Sequence, residues 1–157
     1  MNLKPALRSS QSERRGALTQ ITHLAAAVFT LSLTGSTDPR TAAALLAGSI
    51  LPDIDHPRRC TPLPLGVRHR GATHSLLSLA AFALMAELAG LILGAPSLGS
   101  YLALGYGLHL ALDALNPSRV PLLWPSRRRW GIGLIRTGST AEALLLLGLA
   151  LLYIKLR

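Results

Sequence analysis

Histidine and aspartate residues occur in this chain at spacings that could bind a metal ion. His109 and Asp113 are four residues apart, so on a helix their side chains lie one above the other on the same face. Asp53 and His56 are separated by about one helical turn and could meet an ion in the same way. Neutral imidazole and carboxylate groups are ligands of zinc, and of manganese or iron where the coordination is octahedral. These pairs therefore predict a divalent metal site, with zinc as the first choice.

Three further histidines could complete or support this site. His69 and His74 are joined by the short segment from Arg70 to Thr73, and His23 lies near the start of the first apolar stretch. Thr73 is a suitable helix cap, which explains the threonine but not two histidines. His23 on its own is typical of a core or interface histidine. Because the candidates outnumber the ligands of one zinc ion, some would orient ligating imidazoles, or a carboxylate would bridge two ions.

Three other polar residues could take part in catalysis. Asp55 or Glu142 could accept a proton from water, and Arg70 could face negative charge that develops during a reaction. Glu142 has a structural alternative, because the segment from Ser139 to Glu142 is a capping box in which the glutamate folds back onto the helix start. Glu142 is therefore a candidate both for a helix cap and for a catalytic base.

The composition predicts that lipid surrounds much of the chain. Half of the 157 residues are hydrophobic, only 15% are charged, and the mean hydropathy is +0.40, whereas roughly 25% of residues are charged in soluble domains. Leucine and alanine dominate the apolar stretches and favour helices. The single cysteine, Cys60, excludes an internal disulfide. We therefore expect an all-α fold, a polytopic membrane bundle of about four to five short helices.

The apolar residues fall into separate stretches within one domain. Residues 1–16 form a basic segment that we expect to be retained, and residues 17–157 form the membrane-embedded domain. A spanning helix needs about 17 to 25 apolar residues. The third stretch, from His74 to Gly94, is long enough to span a membrane, whereas the second, from Thr41 to Leu51, is too short to cross alone. Asp38 and Pro39 predict the start of the second stretch. The stretches are about Ala17 to Leu33, Thr41 to Leu51, His74 to Gly94, Leu98 to Leu115 and Thr140 to Ile154.

The basic residues predict an orientation in the inner membrane. Thirteen of the sixteen lie in residues 1–16, 57–70 and 117–139, which share one side if all five stretches cross. The positive-inside rule makes that side cytoplasmic, and the candidate ligands lie at the ends of the stretches on the same face. Contact with anionic lipid accounts for the arginines, and Trp124 and Trp130 are typical interface anchors.

Motifs of distinctive sequence follow one another along the chain. They are Leu-Pro-Asp-Ile-Asp-His-Pro at 51–57, His-Arg-Gly-Ala-Thr-His-Ser-Leu-Leu at 69–77, Gly-Tyr at 105–106 followed by His109 and Asp113, and Val-Pro-Leu-Leu-Trp-Pro at 120–125. Together they resemble the YdjM-like family of bacterial inner-membrane proteins, which are described as metal-dependent hydrolases. The resemblance covers most of the chain from Thr22 onward, although Thr22 replaces the glycine usual before the first histidine.

The resemblance implies a set of metal-site residues. These are Asp53, His56, His69, His74, His109 and Asp113. The pattern of His109 and Asp113 is also reminiscent of the zinc-dependent phospholipase C enzymes, which are all-helical. The family says little about the substrate.

Two functions fit these residues. In the first, the chain is a membrane-bound hydrolase in which metal-activated water attacks an ester or phosphoester, for example in a small molecule or a lipid head group. In the second, it is a non-catalytic membrane protein with a structural metal site or an ion or proton pathway. An open coordination position beside a cleft would distinguish them. Membrane lipids are the expected partners, whereas nucleic acid is not, because aromatic residues make up only 4% and no recognition-helix pattern is present.

Overall fold

The computed structural model describes residues 20–55, 71–136 and 138–156. Within these residues the fold is all-α, as predicted, with one isolated antiparallel bridge between Val120 and Trp130. Two short 3-10 helices, Leu51–Asp55 and Ala72–His74, lie between the second and third α-helices. The α-helices are α1 (20–34 in its described part), α2 (Pro39–Ile50), α3 (Leu76–Ile92), α4 (Leu98–Ala114) and α5 (Thr140–Lys155).

Helix starts follow the capping signals in the sequence at two places. The Asp38 side chain accepts a hydrogen bond from the backbone of Arg40, and Pro39 opens α2. Ser139 caps α5 in the same way, since its side chain accepts from the backbone of Glu142. These caps satisfy backbone N–H groups that have no partner within the helix.

The start of α3 differs from the sequence prediction. Ser75, not Thr73, is the N-cap, and its side chain accepts a hydrogen bond from the backbone of Ser78. Thr73 and His74 belong instead to the preceding 3-10 helix. His74 is therefore displaced from the helix and can turn toward residues that follow α2.

The junction between α3 and α4 depends on Glu87, which lies on α3. The Glu87 carboxylate accepts hydrogen bonds from the backbone of Ser97, at 3.3 Å, and of Gly99, at 2.9 Å. Ser97 adopts a φ of +79° at the helix N-cap and has no side-chain cap of its own. Glu87 thus supplies the negative charge that stabilises the N-terminus of α4.

None of the helices in the described residues combines the length and the apolar composition needed to cross a membrane. The stretch expected over His74 to Gly94 forms a helix of 17 residues. It begins late because of the 3-10 helix before it, and it ends before Gly94, whose φ is +63°. The polytopic arrangement stays a prediction.

Helix α4 is central to the fold, and α2 packs closely against it. A side chain on Gly105 would collide with the backbone of Leu45, and one on Gly48 would collide with the backbone of Leu102. Glycine is therefore needed at this crossing, because only hydrogen fits between the two backbones. The same close packing of α2 and α4 places His109, one helical turn after Gly105, against Ser49 at the end of α2.

Candidate metal centre

Four donor side chains from three segments converge at the end of the bundle where α4 finishes. Asp53 comes from the 3-10 helix after α2, His74 from the one before α3, and His109 and Asp113 from the last two turns of α4. His74 and His109 are fully buried, and the Asp113 side chain is 2% exposed. The carboxylate of Asp53 is also largely enclosed, at 14% exposed.

The distances among these donors suit a small divalent ion. His74 Nε2 lies 3.3 Å from Asp113 Oδ2 and 3.6 Å from Asp53 Oδ1. His109 Nε2 lies 3.8 Å from Asp113 Oδ2 and 3.9 Å from Asp53 Oδ1. In a tetrahedral zinc site with bonds of about 2.0–2.1 Å, neighbouring donors are about 3.3–3.4 Å apart. The four histidine–carboxylate separations exceed this spacing by at most about 0.6 Å, so these residues fit a metal ion.

The Nε2 atoms of His109 and His74 are oriented by contacts on the other side of each ring. His109 Nδ1 lies 2.7 Å from the backbone oxygen of Ser49, and His74 Nδ1 lies 3.1 Å from Thr73 Oγ1. Because a carbonyl oxygen only accepts, the Ser49 contact places the proton on Nδ1 and leaves His109 Nε2 for the cluster. The hydroxyl of Tyr106 donates to the Thr73 carbonyl and so steadies the segment that carries His74. Such supporting hydrogen bonds are typical of metal-binding histidines.

Burial and the pairing of histidines with carboxylates together shift the pKa values in the cluster. Burial by itself would raise the pKa of the Asp53 carboxyl, but the adjacent His74 and the nearby His109 lower it to about 2. Burial also opposes the charged form of His74, yet the carboxylates of Asp113 and Asp53 raise the pKa of His74 above its usual value. The two carboxylates thus favour a positive charge between them, which a divalent cation would also provide.

His23 joins the cluster from α1. Its ring stacks on that of His109 with centroids 3.8 Å apart and planes 13° apart, and its Nε2 lies 3.7 Å from Asp113 Oδ1. The residue is 2% exposed, and neither ring nitrogen makes a hydrogen bond within the described part of the chain. A buried polar group without a hydrogen bond is destabilising. A ligand that binds a ring nitrogen of His23 would therefore stabilise this arrangement.

A small cavity of about 30 Å³ lies beside His23 and Asp113, and Glu142 forms part of its wall. Glu142 Oε1 accepts a hydrogen bond of 2.7 Å from Thr22 Oγ1, and Oε2 accepts one of 2.6 Å from the backbone of Gly138. The glutamate therefore folds back onto the helix start, as the capping pattern predicts, while it also faces the cavity. A space of this size holds about one or two water molecules.

Sequence spacing indicated part of this site and missed other parts. The supporting contacts from Ser49 and Tyr106 were not anticipated, although Tyr106 precedes His109 by three residues and so lies on the same helical face. Four other candidates cannot be placed: the side chain of Asp55, with His56, His69 and Arg70, lies outside the described residues. Their roles stay predictions.

Comparison with known proteins shows which family the chain resembles. A family model described as the YdjM inner membrane protein matches residues 18–157. The inner membrane protein YdjM of Escherichia coli is 38% identical over 100 residues, which cover 55% of this chain and 50% of that protein, and the YdjM protein of Shigella flexneri matches to the same extent. The uncharacterized protein YvsG of Bacillus subtilis is 33% identical over 120 residues, covering 70% of this chain and 73% of YvsG. The match thus spans about half the length of the two YdjM proteins, and no solved structure matches the chain.

Proposed function

The chain belongs to the YdjM family of inner membrane proteins, and on that premise we propose that it is a membrane-bound, metal-dependent hydrolase of an ester or phosphoester. The convergence of Asp53, His74, His109 and Asp113, with donor separations of 3.3–3.9 Å, supports this proposal most strongly. These side chains come from three segments far apart in sequence, and a shared cation accounts for their burial together.

The roles of the residues follow from their positions. The ion would be held within the group of Asp53, His74, His109 and Asp113, and the hydrolase function requires that one coordination position stays open to water. We propose that the ion is zinc, with manganese or iron as alternatives. A divalent ion bound there supplies Lewis acidity, which activates water and polarises an ester. Glu142 accepts a proton from water held in the adjacent cavity, while Thr22 and the Gly138 backbone fix its carboxylate. Asp55 stays the alternative to Glu142 as the base, and Arg70 stays the predicted contact for developing negative charge.

The surface of the helices supports a location within the membrane. Large apolar side chains are exposed along two helices: Leu84, Leu88, Leu91 and Ile92 on α3, and Leu144, Leu147, Leu151 and Ile154 on α5. We propose that these faces contact lipid in a multi-pass arrangement. A lipid head group is the substrate class that such a site would meet most often.

The arginine-rich segment supports a cytoplasmic orientation of the site. Residues Arg127, Arg128 and Arg129 are exposed, and the same segment returns past the end of α4 through hydrogen bonds from Ile132 to Ala114 and from Ile135 to Leu115. The basic surface and the cluster of histidine and aspartate side chains therefore lie at the same end of α4. By the positive-inside rule, we propose that this end faces the cytoplasm.

Turnover by the metal-loaded protein tests the proposal. In detergent, the full chain is expected to hydrolyse one of three substrate classes, phosphodiester, phospholipid or carboxylester. Glu142→Gln should lower kcat by about 100-fold or more, the usual contribution of a general base, while the metal content by elemental analysis stays unchanged. The amide keeps an acceptor for Thr22 but cannot take a proton from water.

Glu87→Gln is the matched control, because Glu87 caps α4 away from the cavity. Its turnover should equal that of the unaltered protein. If the metal-loaded chain hydrolyses none of the three classes, the hydrolase assignment is wrong. In that case a structural metal or an ion pathway accounts better for the cluster.

A further inference from the structure

We propose that this site binds two divalent ions, the second of them held by His23 and Asp113, with Asp113 as the bridging carboxylate. This inference rests on the proposed metal site and deepens it. Two groups of three residues each bring their donor atoms within 4.8 Å of one another. One group is Asp53, His74 and His109, and the other is His23, His109 and Asp113.

The two groups share His109, but His109 can serve only one ion. Its Nδ1 is occupied by the backbone oxygen of Ser49 at 2.7 Å, which leaves Nε2 alone for ligation. A neutral imidazole nitrogen has one lone pair and binds one metal. The ion that takes His109 together with Asp53 and His74 therefore leaves His23 and Asp113 with donor atoms for a second.

The carboxylate of Asp113 has the arrangement expected of a bridge. Its Oδ2 faces the first group, at 3.3 Å from His74 Nε2 and 3.8 Å from His109 Nε2. Its Oδ1 faces the other way and lies 3.7 Å from His23 Nε2. One carboxylate oxygen is thus directed at each group of histidines.

The parallel arrangement of two histidine rings is compatible with a neighbouring ion on each ring. The rings of His23 and His109 are nearly parallel, with centroids 3.8 Å apart, and both Nε2 atoms approach the same carboxylate. Ions in two-metal hydrolytic sites are about 3.5–4 Å apart. Stacked imidazoles at this distance could each bind an ion without displacing the other.

The second position has room for further ligands. His23 and Asp113 both line the cavity of about 30 Å³, together with Thr22, Asn116 and Glu142. Water in this cavity could complete the coordination of an ion on His23. The second position is therefore the one that adjoins this cavity.

Manganese binding to the full chain in detergent tests this inference. Titration with Mn²⁺ under chelator-free conditions should give two ions per chain by elemental analysis. The electron paramagnetic resonance spectrum should show magnetic coupling between neighbouring ions. His23→Gln should reduce the content to one ion per chain and give the spectrum of an isolated Mn²⁺ ion.

His23→Phe is a second variant, because phenylalanine keeps the ring that stacks on His109 but carries no nitrogen. It should also bind one isolated ion. A wild-type chain that binds one Mn²⁺, retained in both variants, would overturn the second position while leaving the hydrolase proposal in place. A wild-type chain that binds no ion would overturn both. If neither variant folds, the stoichiometry and spectral coupling of the wild type decide the question alone.

Discussion

Asp113→Asn is expected to lower the affinity for zinc by more than about 100-fold, because residues that merely support ligands already contribute about 10- to 100-fold. Asp113 directs one oxygen at His74 and His109 and the other at His23. Asparagine has nearly the same shape but carries no charge, so three buried imidazoles would surround a neutral amide. Competition with a zinc-binding dye, on detergent-solubilised protein, measures the change.

Asp38→Asn is the matched control for this substitution. Asp38 is an exposed carboxylate that caps α2, and asparagine caps helices about as well as aspartate. Its zinc affinity should equal that of the wild type. Zinc affinity that is unchanged in Asp113→Asn would mean that the ion, if bound, lies elsewhere.

Gly105→Ala is expected to decrease the free energy of unfolding by about 2–3 kcal/mol, the upper part of the usual range for overpacking. The added methyl group would meet the backbone of Leu45, which cannot move aside as a side chain end can. Separation of α4 from α2 would also draw His109 away from the Ser49 carbonyl and from Asp53. We therefore expect weaker zinc binding together with a lower Tm in detergent.

Gly148→Ala is the matched control, and we expect it to increase the free energy of unfolding. Gly148 lies in α5, and nothing is within 4 Å of a side chain placed there. Alanine in an open helical position stabilises by about 0.5–1 kcal/mol relative to glycine. If Gly105→Ala and Gly148→Ala shift the Tm alike, the close contact of α2 with α4 is wrong.

Local signals in the sequence predicted much of the helical structure. Asp38 with Pro39, and Ser139, mark helix starts because their effect is confined to the next few residues. The spacing of His109 and Asp113 likewise predicts a shared helical face, which the structure has. The all-α fold followed from leucine and alanine content.

Contacts between distant segments could not be predicted in this way. Thr22 and Glu142 form a buried hydrogen bond across 120 positions, and no periodicity in a single sequence encodes that pairing. The partners of Glu87 are backbone N–H groups of the next helix, which donate to its carboxylate and carry no side-chain signature in the sequence. The start of α3 was misplaced because Thr73 and Ser75 are both good caps, and tertiary contacts of His74 decide between them.

The coordination of zinc in the 157-residue chain tests the central claim most directly. X-ray absorption at the zinc edge, on protein purified without chelators and loaded with zinc, should show only nitrogen and oxygen ligands at about 2.0–2.1 Å. Scattering from the outer atoms of imidazole rings should be present, as expected for His74 and His109. Protein that binds no zinc, or zinc bound through sulfur, would contradict a centre built from these histidines and aspartates.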